Sequence, residues 1–155
     1  MFCLSKGLSA PVGSLLVGGS DFIKKARKLR KIMGGGMRQA GIIAAAGIVA
    51  LEKMTTRLKA DHEKAQILAE AFNRTEIFYV DMDNVMINMF FVKLQNQYKV
   101  GNIEKFVDLL KGERILTYPP EHNSLRFVTH QGIREADVDY IIKKLPKLVG
   151  EFKRI

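Results

Sequence analysis

The chain has 155 residues, enough for one ordinary domain, and its 47% hydrophobic content excludes wholesale disorder. It carries 25 Lys and Arg against 16 Asp and Glu, a net charge of +9, so an anionic partner has to be considered. The single cysteine, Cys3, forms no disulfide within the chain, and no Cys/His cluster has metal-ligand spacing; a reducing, cytoplasmic setting follows as the simplest reading.

The first residues lack a charged segment followed by a long apolar one, so no secretory signal is expected. Met1 to Leu4 and Pro11 to Gly18 read as short buried strands flanking a Gly/Pro loop that carries Lys6. Ser20 is an expected helix N-cap, with Asp21 in the first turn. Phe22, Ala26, Leu29 and Met33 then recur at helical spacing, until Gly34-Gly35-Gly36 ends the helix. Most of the excess charge sits on this helix or just after it, as Lys24, Lys25, Arg27, Lys28, Arg30, Lys31 and Arg38. Such a run is either an anion site or a solvated helix face.

A long helix is predicted from about Arg38 to Phe72, with Ala40, Ile43, Gly47, Leu51, Met54 and Leu58 as its apolar stripe. Its apolar run, Ala40 to Leu51, falls short of the ~20 residues a membrane helix needs, so no span is expected. The helix turns charged after Glu52, which places a domain boundary near Arg57. Beyond it, Val85 to Leu94 reads as a largely buried strand, and Asn102 as the cap of a short helix presenting Ile103, Phe106, Val107 and Leu110. Ile115–Tyr118 and Leu125–Thr129 read as two strands of a hairpin joined through Pro119 and Pro120. A last helix carries Val138, Ile141, Ile142, Leu145, Leu148 and Val149, and Pro146 is expected to kink it or end it early. Strand, helix, strand, strand, helix describes a small α/β sandwich, one sheet covered by helices.

Three motifs carry chemistry. Ser5-Lys6-Gly7-Leu8-Ser9-Ala10-Pro11-Val12-Gly13-Ser14 presents a lysine on a loop, and a neutral lysine amine can attack an aldehyde. Arg30-Lys31-Ile32-Met33-Gly34-Gly35-Gly36-Met37-Arg38-Gln39-Ala40-Gly41 puts cations beside a glycine turn, which suits a phosphate or carboxylate. In Leu125-Arg126-Phe127-Val128-Thr129-His130, alternation puts Arg126, Val128 and His130 on one sheet face and Leu125, Phe127 and Thr129 on the other. An arginine on an otherwise apolar strand calls for an anionic partner, and its planar fork suits a carboxylate.

Together these segments resemble the low-specificity threonine aldolases, with the match densest from Leu4 to Leu58 and from Leu125 to Asp139. The resemblance implies the fold-type I architecture of pyridoxal-phosphate (PLP) enzymes. Residues 1–57 would form the end of its cofactor-binding large domain, and residues 58–155 its small C-terminal α/β domain. It implies cleavage of threonine or related β-hydroxy-α-amino acids to glycine and an aldehyde. Lys6 would hold the cofactor, Lys31 and Arg38 its phosphate across a subunit interface, and Arg126 the substrate carboxylate. Ser9 departs from the family pattern, which has Gly or Cys there, and Arg134 stands where a helix-capping serine is usual. The histidine that stacks on the cofactor ring, the aspartate that pairs with its nitrogen and the Gly-Thr phosphate cradle match nothing in this chain. Little activity is therefore expected of the chain alone, and a homo-oligomer or a complementing N-terminal half is the expected partner. His62, His122 and His130 receive no catalytic role.

Two other readings compete: a small basic nucleic-acid- or anion-binding module, and a non-catalytic paralogue that keeps only the oligomer interface. Against the first, the chain has no Trp, and its aromatics do not interleave with the basic run as a stacking platform would. Neither a nucleic-acid nor a membrane partner is expected.

Overall fold

A computed structural model describes residues 1–95, 98 and 103–154; the expected cap at Asn102 lies outside the described residues. The chain divides into two compact units, Met1–Leu58 and Lys59–Ile155.

The first unit starts with β1 (Phe2–Cys3), paired antiparallel with β2 (Ser14–Leu15). These strands are shorter and more exposed than the apolar runs suggest, because only Leu4, Leu8 and Ala10 are fully buried there, against Ala50, with Leu15 partly buried beside them. Helix α1 (Ser20–Ile32) follows, with Gly19 rather than Ser20 in the capping position and no side-chain cap. It ends as the glycine turn predicts: Gly34 takes the left-handed conformation, and the Gly35 N–H reaches the Arg30 carbonyl at 2.8 Å. The helix buries none of its residues, so the expected Phe22–Met33 stripe faces outward.

The long helix expected from Arg38 to Phe72 is two helices, α2 (Gly41–Lys53) and α3 (Leu58–Asn73). The break falls at Thr55-Thr56. Both residues are β-branched, and the Thr55 hydroxyl donates back to the Leu51 carbonyl at 3.2 Å, a local bond that competes with helix propagation. In α2 the small residues Gly47 and Ala50 are buried, with Leu51 and Met54 packed beside them.

The second unit has a three-stranded antiparallel sheet, β3 (Phe78–Tyr79), β4 (Met89–Leu94) and β5 (Ser124–Val128), with β4 in the centre. Helices α3, α4 (Ile103–Gly112) and α5 (Glu135–Phe152) bury their apolar faces in the same core. Six phenylalanines fill that core: Phe72 touches the rings of Phe78, Phe90, Phe106 and Phe127, and Phe152 packs on Phe78 and Phe106. Strand β3 carries no pattern of its own. It is set by Asn73 at the end of α3, whose side chain bonds both the N–H and the carbonyl of Val80, at 2.7 and 2.9 Å.

Three expectations for this unit are corrected. The strand read at Val85–Leu94 begins only at Met89, because a 3-10 turn (Met82–Asn84) precedes it, and Phe91 and Lys93 face out. Residues 115–118 form no strand: the pairing partner of β5 is β4, with Phe91 opposite Arg126 and Val92 opposite Leu125. Pro119 and Pro120 have no N–H to donate to a ladder, and the tight turn is instead Glu121–Ser124, with His122 and Asn123 both at positive φ. Helix α5 does not stop at Pro146 but runs on to Phe152. Its N-cap residue, Arg134, gives the first turn no side-chain cap, in keeping with the loss of a capping serine, and the bonds present run the other way. The Asp137 carboxylate accepts from the Arg134 N–H at 2.9 Å and from its guanidinium at 3.0 Å, which lowers the Asp137 pKa and raises that of Arg134.

Helices α4 and α5 are joined by Glu113, whose carboxylate takes Lys144 Nζ at 2.7 Å and Lys147 Nζ at 2.9 Å. The hydrogen bond from Lys144, then that from Lys147, pulls the Glu113 pKa from its ordinary 4.5 to about 2.

Candidate functional site

Lys6 stands on a loop closed by its own backbone. Leu4 donates to the Gly13 carbonyl at 2.9 Å, Ala10 to the Leu4 carbonyl at 3.0 Å, and Ser9 to the Lys6 carbonyl at 2.8 Å. Leu4, Leu8 and Ala10 anchor the loop in the core while the Lys6 side chain stays exposed, its amine making no hydrogen bond or salt bridge among the described residues. Closing the turn forces Ser9 to φ 59°, a left-handed conformation that glycine adopts without strain. Gly7 is as tightly constrained: Arg57 Nη1 donates to its carbonyl at 3.3 Å, and a Cβ there would fall 2.8 Å from Leu58 Cδ2.

Lys31 and Arg38 lie on either side of the glycine turn, both exposed and without an acidic partner among the described residues. At Gly35 and Gly36 the Arg30 and Lys31 side chains lie where a side chain would otherwise stand. A Cβ on Gly36 would lie 2.8 Å from Lys31 Nζ, and one on Gly35 would lie 2.7 Å from Arg30 Cγ. Glycine thus lets the lysine amine fold back over bare backbone, the kind of cradle a phosphate oxygen occupies.

Arg126 projects from β5 on the face opposite the core, as alternation predicts, and is half-buried. It lines a cavity of about 360 Å³ with Tyr118, Thr129, His130 and Ile133. Among the described residues no carboxylate meets it; its guanidinium lies over the Tyr118 ring. Thr129 behind it is buried and fixed, donating to the Asp61 carbonyl at 2.6 Å, while Asn88 donates to the Thr129 carbonyl at 2.6 Å. Asn88 therefore has a structural task, holding the end of β5. His130 Nδ1 accepts the Gly132 N–H at 3.0 Å, and His62 Nδ1 bonds the Ile87 carbonyl at 2.9 Å.

Lys6, Lys31 and Arg38 belong to the first unit and Arg126 to the second. Sequence reasoning missed Tyr118, whose one signal was the following Pro119-Pro120, which holds it in extended backbone.

The fold is that of threonine-aldolase-like chains. A crystal structure of a Listeria monocytogenes protein assigned as an L-allo-threonine aldolase superposes with a TM-score of 0.74 at 19% identity, over 94% of this chain and 43% of that one. Residues 1–95 match the family model described as beta-eliminating lyase, and the chain belongs to that family. It is 41% identical over 140 residues to low-specificity L-threonine aldolase 1 of Arabidopsis thaliana, covering 90% of this chain and 39% of the relative. It is 46% identical over 110 residues to the low specificity L-threonine aldolase of Escherichia coli K12, covering 70% of this chain and 32% of that protein. The chain therefore spans well under half the length of these relatives. No helix among the described residues is long and apolar enough to cross a membrane.

Proposed function

We propose that this chain provides the cofactor-lysine and carboxylate-binding part of a PLP-dependent, cytoplasmic aldolase that cleaves threonine or related β-hydroxy-α-amino acids to glycine and an aldehyde. Residues 1–57 belong to its cofactor-binding domain and residues 58–155 to its small domain. The observation that carries this reading is the closed Leu4–Gly13 loop, which holds the exposed Lys6 amine on a buried apolar base.

The residues present fit the cofactor by their chemistry: a primary amine without a carboxylate partner, and a glycine cradle with Lys31 folded across it and Arg38 just beyond. When bound, PLP supplies an aldehyde for the amine and a ring that accepts the electron pair of the breaking Cα–Cβ bond. Lys6 would hold it through its side-chain amine. Lys31 and Arg38 balance the phosphate charge of a neighbouring subunit's cofactor. Arg126 takes the substrate carboxylate bidentately and so fixes which Cα bond stands in line for cleavage. The remaining parts of the pocket come from the stretch of its relatives that this chain does not span, either on a complementing polypeptide or in a longer homo-oligomeric protein.

The test is to add PLP to the chain alone, and to the chain mixed with a matching N-terminal half, then reduce with borohydride. The expected result is a visible absorbance band and a fixed mass increase on Lys6 only in the mixture. No label on Lys6 in either case, together with salt-sensitive nucleic-acid binding, would replace this reading with the basic-module one.

A further inference from the structure

Tyr118 has a specific relation to Arg126. The guanidinium carbon lies 4.1 Å from the centroid of its ring, a stacking distance. The contact is anchored from both sides. Thr117 Oγ1 donates to the Arg126 carbonyl at 3.1 Å, so the residue before Tyr118 is tied to the residue that Tyr118 covers. On the other side, Pro119 confines Tyr118 to extended backbone. Both side chains line the same cavity of about 360 Å³.

Arginine is a poor anion ligand when its long side chain has to be ordered by the ligand, since that entropy is subtracted from the affinity. A ring against one face of the guanidinium removes most of that motion. It leaves the N–H edges free, because stacking uses the face of the group and hydrogen bonding uses its plane. Among the described residues nothing acidic occupies those edges.

We propose that Tyr118 is a positioning residue: its ring holds the Arg126 guanidinium in the plane in which it grips a carboxylate, an inference that rests on reading Arg126 as the carboxylate ligand. The ring face acts, not the hydroxyl, for which no partner is found among the described residues.

The test uses the full chain labelled with nitrogen-15, glycine as the carboxylate probe, and sodium chloride at matched ionic strength as the control. The Arg126 side-chain Nε–H resonance is followed in the parent, Tyr118→Phe, Tyr118→Leu and Arg126→Gln chains. In the parent chain the resonance is ring-shifted and moves with glycine but not with salt; in Arg126→Gln it disappears, which assigns it. Tyr118→Phe keeps the ring shift and an apparent Kd within about twofold, whereas Tyr118→Leu loses the shift and weakens glycine by about three- to tenfold. Equal glycine affinity in the parent and Tyr118→Leu chains overturns the role of Tyr118 and leaves Arg126 as the ligand. Loss in Tyr118→Phe as large as in Tyr118→Leu overturns the ring-face argument. No response to glycine in the parent chain overturns the reading of Arg126 and this inference with it. Tyr118 is more than half exposed and lies outside every helix and strand, so the leucine variant is expected to keep the parent's melting temperature.

Discussion

At the scale of single residues, the proposed chemistry rests on side chains that meet no carboxylate among the described residues and on backbones held in place. Ser9 illustrates the second point. Its left-handed φ of 59° is imposed by the turn that presents Lys6, and an L-residue carries a cost there of about 1 kcal/mol. Ser9→Gly is therefore expected to raise unfolding free energy by up to about 1 kcal/mol in urea titrations while keeping borohydride labelling of Lys6 in the complemented protein. For Arg126, replacement by Gln in an active complemented enzyme should raise KM for threonine by roughly ten- to a hundredfold, the loss of a charge-assisted bidentate contact. An unchanged KM would move the carboxylate site elsewhere. The four candidate residues were named from the family resemblance their motifs carry, since Lys6 read alone is an ordinary exposed loop lysine. Tyr118 was not, because its contact depends on where residues 115–118 run once they fail to pair as a strand.

At the scale of elements, periodicity located α1, α4 and α5, while features decided by short-range competition escaped it. The single helix read from Arg38 to Phe72 splits because two threonines outbid the surrounding helix formers, and the Asn73–Val80 link that sets β3 has no hydrophobic signature. Pro146 shows the reverse. Tertiary packing of Leu145, Leu148 and Val149 carries α5 through a residue that deprives the helix of a donor. Pro146→Ala should accordingly raise stability by up to about 3 kcal/mol, read from the urea midpoint at constant m. Glu113 gives α4 and α5 a pH dependence. Its pKa is about 2 in the folded protein against an ordinary 4.5, so its contribution is complete above 4.5 and falls away as pH drops towards 2. Glu113→Gln should flatten the melting temperature across that window, and a variant that follows the parent curve would show that the clamp contributes nothing.

At the scale of the whole molecule, the two units differ in how completely they bury themselves. The second closes on six phenylalanines, and Phe72, which touches four of them, is the residue whose loss should be felt most. Phe72→Ala is expected to cost about 3–5 kcal/mol in urea unfolding followed by tyrosine fluorescence. The first unit leaves Phe22, Leu29, Ile32, Met33, Ile42, Ile48 and Val49 in solvent. Apolar exposure on this scale marks a surface meant to be covered. The purified chain should bind a hydrophobic dye and sediment as more than a monomer, and adding a matching N-terminal half should suppress the dye signal. A dye-silent monomer would contradict this.

The break between α2 and α3 has a consequence of its own. Surface breaks of this kind ordinarily absorb insertions and deletions freely, but this one ends in Arg57 and Leu58, which together grip Gly7. Spacing at positions 54–57 is thus a dimension of the lysine loop. One extra residue there would shift the grip by a step of chain and release the turn that presents the amine, so length variation should be poorly tolerated at that break.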